Sequence, residues 1–396
     1  MKSPDKERYR SELKNIDWDF TGDHGDTGFA TYHWYPARYV PQLPGILINY
    51  FSEPGDTVLD PFCGSGTTLI EAFKFGRRAV GIDLTPAAIL MTKAKITEFE
   101  AGSFKEFKYS LLSDFENRMI QVRGSRRNEH ALLQSVPNFE ENSKWFHPST
   151  LLELTAIWSS INDRPHSHYF PVAQAAFSAI LIQCCSQEKH WGWVCDNVKP
   201  KELLQRNAIA AYTNKLAEYE RCAKQLMAEA KELQEKRVSL SEIRAEQGNC
   251  VEILRKYSSE SFGLVVTSPP YFNVTDYVKS QRLSNLWLGV DTLSIKRLEI
   301  GARYKRERLN GLDQYLINMK DVMIEIARVV KRSKFCCLVL GESPQHEKYL
   351  RAFEQLCTDV GLEQLDSISR TISTSRRFIP SVTREKILIM KKSEDD

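Results

Sequence analysis

No part of the 396-residue chain offers a continuous apolar run of about 18 residues, so a membrane-spanning helix is not expected. The opening residues, Met1 to Arg8, are too polar for a signal peptide, and a cytoplasmic protein is expected. Nine cysteines contain no C-x-x-C pair, which argues against a disulfide framework and against a zinc ribbon; reduced, mostly buried thiols are expected instead. The histidines lack metal-ligand spacing with paired carboxylates or cysteines, so no metal is expected. Charge of one sign is also scarce. With 54 basic and 51 acidic residues the net charge is only +3, and a polyanion would have to be met by a local patch rather than by the whole surface. No internal repeat or low-complexity segment appears. With 42% apolar residues the chain can bury a full core, and its length suits two to three domains.

Against these absences, two stretches stand out. In the first, Leu264 to Val266 reads as a buried strand that stops at Ser268-Pro269-Pro270-Tyr271, because proline lacks a donor for the sheet and fixes its own φ. In an open α/β sheet, ligands sit beyond the C-terminal ends of the strands, so this loop presents a hydroxyl, a rigid turn and an aromatic ring to a substrate. The second stretch is Gly55 to Thr68. There Thr57 to Leu59 reads as a strand, Gly64 and Gly66 permit a tight turn, and a helix starts at Thr67 or Thr68 and runs on through Phe73. The next strand, Arg78 to Asp83, ends in an acid about twenty residues after the glycines, the offset at which a carboxylate takes the hydroxyls of an adenosine ribose.

In chain order, residues 1–30 read as a charged, glycine-rich arm. Tyr32 to Pro41 carries aromatics, His33, Pro36 and Arg38, and two roles fit it: core packing, or a cover over the cofactor. Helices are expected over Leu43 to Phe51 and Pro86 to Thr97. The alternation of strand and helix then lapses over 100–238, which reads as a mostly helical inserted module. It opens on Arg118, Arg123, Arg126 and Arg127 and passes aromatic and histidine-rich runs at 145–147, 166–170 and 187–193. Arginines beside aromatics suit a phosphate backbone and exposed bases, although a solvated loop before a small helical core suits them equally. The module ends in a helix over about Lys201 to Lys236. Its apolar residues from Ile209 to Leu233 form one narrow seam, to be covered by a helix of the same chain or, less favoured, by a second subunit.

Over 239–396 the alternation resumes. A short strand and turn reach Gly248-Asn249-Cys250, with Asn249 placed to read an adenine, and Val251 to Tyr257 reads as a short helix. After the Ser-Pro-Pro-Tyr loop comes a basic run with Arg303, Lys305, Arg306 and Arg308, which is either a solvated face or a DNA contact. Helices over Leu316 to Val330 and Tyr349 to Val360 and strands over Phe335 to Leu340 and Lys386 to Met390 complete the sheet. Arg370 to Phe378, including Arg376 and Arg377, reads as a basic, hydroxyl-rich loop.

Together these residues resemble the amino-group DNA methyltransferases that use S-adenosylmethionine, and within them the Ser-Pro-Pro-Tyr type associated with cytosine N4. The resemblance covers about 31–97 and 240–392. It implies an α/β fold: a Rossmann-like class I methyltransferase sheet with helices on both faces, here carrying the inserted module. It further implies a cofactor half over 31–99, a catalytic half over 239–396 and a target-recognition role for 100–238. By this resemblance Asp60, Pro61, Phe62, Gly64, Ser65, Gly66, Thr67 and Thr68 form the methionine-binding loop. Asp83 with Leu84 takes the ribose, Asn249 and Cys250 lie at the adenine, and His33 to Pro41, with His33 and Pro36 as its contacts, packs over the cofactor.

The chemistry suits the residues by themselves. A conjugated exocyclic amine is a poor nucleophile, and a hydroxyl with a proline-constrained carbonyl can accept its two hydrogens and turn its lone pair toward a sulfonium methyl. Ser268 and the Pro269 carbonyl are placed for that. The base must leave the duplex, and Tyr271, together with Phe272, offers it a face. Methylation at carbon 5 would need an activated cysteine, and Cys184 and Cys185 read as buried in a helix. The function expected is site-specific cytosine-N4 methylation of double-stranded DNA, in restriction-modification or phage defence, with a cognate restriction endonuclease as companion. Adenine-N6 methylation, guanine-N2 methylation of tRNA, and a non-catalytic DNA-binding module are the alternatives.

Overall fold

The computed structural model describes residues 12–21, 28–36, 38–187, 195, 199–305, 311–342, 347–373 and 382–394. Seven strands form one sheet: β1 (Thr57–Asp60), β2 (Arg78–Asp83), β3 (Ile243–Gln247), β4 (Phe262–Thr267), β5 (Val330–Glu342), β6 (Leu362–Thr371) and β7 (Arg384–Lys392). Their order is β3-β2-β1-β4-β5-β7-β6. The first five run parallel, and β7 inserts antiparallel between β5 and β6. The order reverses between β1 and β4. In doubly wound sheets that switch point, at the carboxyl ends of the strands, is where ligands bind.

The central strands β1, β2, β4 and β7 and the second half of β5 are buried on both faces, whereas the edge strands β3 and β6 are partly exposed, and alternate residues serve opposite layers as the pleat requires. Val58, Leu264, Val266, Cys337 and Ile389 face one core cluster, whereas Leu59, Val265, Cys336, Leu338 and Met390 face the other. This is the Rossmann-like class I methyltransferase architecture that the family resemblance implied.

Helices α1 (Gln42–Phe51), α2 (Thr67–Lys74) and α3 (Pro86–Lys95) cover one face. The inserted stretch adds α4 (Ala101–Val122), α5 (Pro148–Asn162), α6 (Phe170–Cys184) and α7 (Ala208–Leu233) to the same side. Its Phe104, Trp145, Phe177 and Tyr212 share one apolar cluster with Leu43, Leu69 and Ile89. The other face carries α8 (Cys250–Leu254), α10 (Gly311–Val329) and α11 (Glu347–Asp359), and a short helix α9 (Arg282–Trp287) lies in the loop after β4.

The α7 seam is covered by its own chain, the favoured of its two readings. Tyr212, Leu216, Tyr219, Ala223 and Leu226 are buried against helices of the same chain, including α6 and α2, while Leu233 at its end is exposed. The helix also begins at Ala208 rather than near Lys201, where the Asn207 side chain caps it by accepting from Ala210 N at 2.8 Å. The first thirty residues are not simply an arm, since Leu13 and Trp18 are buried in the main cluster. Arg370 belongs to β6 rather than to a basic loop, and it is buried beside Glu385. All nine cysteines are buried thiols, Cys184 at the end of α6 and Cys185 capping it, as expected.

Candidate active site

The switch point opens into a cleft enclosing about 930 Å³ of empty space, its open mouth included. One side is the loop between β1 and α2. Gly64 takes φ +50° and Gly66 φ +82°, and a Cβ on Gly64 would come within 2.8 Å of the Tyr35 ring. Only glycine lets that ring close over the loop. Pro61, Phe62, Gly64, Ser65 and Thr67 line the cleft, as the sequence suggested.

Asp83, at the end of β2, also faces the cleft. One carboxylate oxygen accepts from Gly64 N at 3.0 Å, and the other from Thr85 N and Thr85 Oγ1, both at 2.8 Å. Burial pushes this carboxyl up, and the three donors oppose the rise. A carboxylate so fixed keeps lone pairs for further donors. Leu84, Asn249 and Cys250 complete that wall; Asn249 Oδ1 caps α8 by accepting from Val251 N at 2.9 Å.

Opposite the glycine loop, β4 ends in Ser268-Pro269-Pro270-Tyr271. Ser268 and Pro270 line the same cleft as Gly64 and Asp83. The Pro270 carbonyl accepts from the Tyr315 hydroxyl at 3.0 Å, which pins the turn from α10. The Pro269 carbonyl has no such partner among the described residues.

The structure separates several candidates from the cleft. Asp60, expected among the cofactor contacts, is only 2% exposed and lies behind the loop. It accepts from Thr68 Oγ1 at 2.5 Å, Phe62 N at 3.1 Å and Thr267 Oγ1 at 2.7 Å. Burial pushes its carboxyl up to about 6. Thr68 belongs to that network and Gly66 caps α2, so neither lines the cleft. His33 turns away as well. Its Nδ1 meets the Trp34 carbonyl at 2.8 Å and its Nε2 meets Ser178 Oγ on α6 at 2.9 Å, so it anchors the segment from behind while Pro36 reaches the cleft. Tyr271 is 6% exposed and packed with Val274 and Val382, and Phe272 packs on Tyr315 and Tyr349. The Tyr271 ring offers no open stacking face, and neither ring lines the cleft.

Sequence reasoning missed Tyr277, which lines the cleft and stacks on Tyr35 at a ring separation of 6.2 Å and an angle of 25°. It also missed Leu298, Glu299 and Ile300 on the same wall. Only their position soon after the Pro-Pro turn could have singled them out. Of the basic candidates, Arg123, Arg126 and Arg127 are exposed around the turn after α4, and Arg303 is half-buried. Arg306, Arg376 and Arg377 lie outside the described residues, as does the side chain of Lys305.

Residues 2–94 match the N6_N4_Mtase family model, described as DNA methylase. Residues 49–142 match a model described as an RMKL-like methyltransferase domain. The Type II methyltransferase M.MvaI of Kocuria varians is 24% identical over 344 residues, covering 84% of this chain and 71% of its own. M.MjaII of Methanocaldococcus jannaschii, also a Type II methyltransferase, is 21% identical over 399 residues, covering 79% of this chain and 74% of its own. These matches support an S-adenosylmethionine-dependent DNA methyltransferase. A shorter likeness, 34% over 73 residues and 18% of this chain, links it to a tRNA (guanine(10)-N2)-dimethyltransferase of Methanothermobacter thermautotrophicus.

S-adenosylmethionine fits the cleft of this enzyme. Ser65 Oγ is buried at the wall without a hydrogen-bond partner among the described residues, an acceptor or donor left for a ligand. Asp83 offers a fixed carboxylate for hydroxyls, and the Tyr35–Tyr277 pair offers an aromatic wall.

Proposed function

We propose that this chain methylates the exocyclic N4 of cytosine in specific double-stranded DNA sites, with the base turned out of the helix into the cleft. The observation that carries the proposal is the meeting of Ser268 and Pro270 with Gly64 and Asp83 in one cleft. S-adenosylmethionine supplies an electrophilic methyl on a sulfonium. The residues act on the other reactant. Ser268 Oγ and the Pro269 carbonyl accept the two amine hydrogens and so turn the nitrogen lone pair out of conjugation and toward the methyl. Tyr315 holds the turn that carries these acceptors. No covalent base adduct is required, and burial pushes the Cys63 thiol beside the cleft well above its ordinary range, away from a nucleophilic thiolate.

The inserted stretch is the proposed reader of DNA sequence, with Arg123, Arg126 and Arg127 as exposed phosphate contacts on its outer turn. A role in restriction-modification beside a cognate endonuclease, in the cytoplasm, follows from the same reading.

The test is to incubate the protein with labelled S-adenosylmethionine and mixed-sequence duplex DNA, then identify the methylated nucleoside by mass spectrometry. 4-Methylcytosine is expected. 6-Methyladenine would keep the mechanism and overturn the base. Label in RNA alone would overturn the DNA assignment.

A further inference from the structure

Glu385 sits on β7, in register with Gly341 of β5 on one side and Arg370 of β6 on the other. Glu385 is only 7% exposed and takes no part in lining the cleft. One carboxylate oxygen accepts from the Tyr271 hydroxyl at 3.1 Å, and the Tyr271 oxygen in turn accepts from Ser268 Oγ at 3.1 Å. The other oxygen lies 3.2 Å from Arg370 Nε, an ion pair by distance without the alignment of a hydrogen bond. The tyrosine ring is held in this line by close packing on Gly341, where a Cβ would come within 2.6 Å of Tyr271 Cδ2. Arg370 is itself buried, with its guanidinium over the Phe20 ring at 5.3 Å.

The direction of each hydrogen follows from the chemistry. An ionised carboxylate can only accept, so Tyr271 must donate to it. The tyrosine oxygen is then left as the acceptor, and Ser268 commits its one proton there. Of these four side chains only Ser268 lines the cleft, and it turns lone pairs rather than a proton toward it. A serine without such an anchor would present either, because its hydroxyl rotates freely. An amine that must give up hydrogens to be activated requires the lone pairs.

We propose that Glu385, acting through Tyr271, is the positioning residue that fixes Ser268 as a hydrogen-bond acceptor toward the target amine. The proposal rests on the amine-methylation reading above. Arg370 serves it as the buried cation beside the carboxylate, opposing the upward push of burial.

The test compares Glu385→Gln, Tyr271→Phe, Ser268→Ala and the pair Ser268→Ala/Glu385→Gln, all with cofactor affinity measured by calorimetry. Glutamine keeps the shape of glutamate, but Arg370 only donates and so holds the amide oxygen. The amide nitrogen is left facing Tyr271, which must accept, and the Ser268 proton swings toward the cleft. Glu385→Gln is expected to lower kcat by about 100-fold, the scale of one misplaced hydrogen-bonding group at a reacting centre. Tyr271→Phe, which frees Ser268 without inverting it, is expected to cost only about 10-fold. KM and cofactor affinity should stay within about 2-fold, and the paired variant should be no slower than Ser268→Ala alone. Additive losses in the pair, or a Glu385→Gln enzyme within about 3-fold of wild type, would overturn the inference. If Glu385→Gln fails to fold, Tyr271→Phe, which keeps the Glu385–Arg370 pair, carries the kinetic test, and a Tyr271→Phe enzyme within about 3-fold of wild type would overturn the inference.

A substrate-free readout separates this inference from the function assigned above. The infrared C–O band of the Tyr271 phenol, isolated by difference against Tyr271→Phe, distinguishes a donor from an acceptor. It is expected to shift in Glu385→Gln and to stay in place in Asp83→Ala. An unmoved band in Glu385→Gln overturns the proposed polarity whatever the substrate is. A shifted band from an enzyme that leaves DNA unmethylated overturns the function and leaves the polarity standing.

Discussion

The Thr267 hydroxyl donates to the Asp60 carboxylate at 2.7 Å, across the point where the strand order reverses. Asp60 ends β1 just before the cofactor loop, and Thr267 ends β4 just before Ser268. One buried carboxylate therefore sets the spacing between the two halves of the cleft. It also accepts from Thr68, Phe62 N and Tyr39, the last at 3.3 Å, and these donors offset part of the cost of burying its charge.

Thr267→Val keeps the shape and removes the donor. Asp60 keeps its other partners, so folding should survive a loss of about 1.5–3 kcal/mol, the scale of one hydrogen bond to a charged group. The register of Ser268 should suffer more than the cofactor loop does. Turnover is expected to fall about 10-fold, with cofactor affinity within about 2-fold, because small misplacements of a reacting group are costly. Calorimetry beside single-turnover kinetics reads both, and equal losses would show that the Thr267–Asp60 hydrogen bond serves only the cofactor loop.

Asp83→Ala removes a carboxylate that both faces the cleft and holds Gly64 N. Cofactor affinity should drop by about 100-fold or more, since charged hydrogen bonds contribute roughly 1.5–3 kcal/mol each. Unchanged affinity by calorimetry would take Asp83 out of the ribose role.

Much of this was legible because the elements that bind nucleotides advertise themselves. Thr57 to Phe73 carries a strand, two glycines and a helix start in one short run, and the acid that ends β2 follows at a fixed offset. The Pro-Pro turn marks the end of β4 just as clearly. What stayed hidden was direction. The sequence places His33 beside the cofactor cover, but nothing in it tells that the ring points back to Ser178 on α6. Tyr271 reads as an exposed ring, and only the long-range pairing of β5 with β7 brings Glu385 and Gly341 around it. The α7 seam could not name its partner, because a helix covered by its own chain and one covered by a neighbour share the same periodicity. Tyr277 lacks any local signal, and it becomes a site residue by stacking on Tyr35.

His33 predicts an acid-sensitive fold. It is fully enclosed, and burial pushes it down to about 3 from an ordinary value of 6.5. The folded state therefore holds it neutral while the unfolded chain takes up a proton below about pH 6.5, so its contribution to stability is complete above that pH and is lost as pH falls toward 3. At pH 5 the loss is on the order of 2 kcal/mol, from about 1.4 kcal/mol per pK unit. Asp60, raised to about 6, changes stability in the opposite sense over the same range, gaining as pH falls from about 6 toward 4. His33→Gln retains a donor for the Trp34 carbonyl and an acceptor for Ser178 but cannot titrate, and it leaves Asp60 untouched. Thermal midpoints at pH 7.5 and pH 5 should therefore differ more in wild type than in His33→Gln. Equal differences would place the acid sensitivity elsewhere.

The exposed arginines of the inserted stretch can be tested by salt. Each phosphate neutralised on duplex DNA adds about 0.9 to the slope of log K against log salt, through release of condensed counterions. Replacing Arg123, Arg126 and Arg127 together with alanine should lower that slope by as much as about 2.7 if all three meet phosphates. Because the three are exposed and lie apart from the cleft residues, cofactor affinity and thermal midpoint should not move. Turnover at saturating DNA should also hold, since phosphate contacts position the duplex rather than act on the base. An unchanged slope would remove this turn from the DNA face and shift the search for phosphate contacts to Arg303 and the basic residues that follow it.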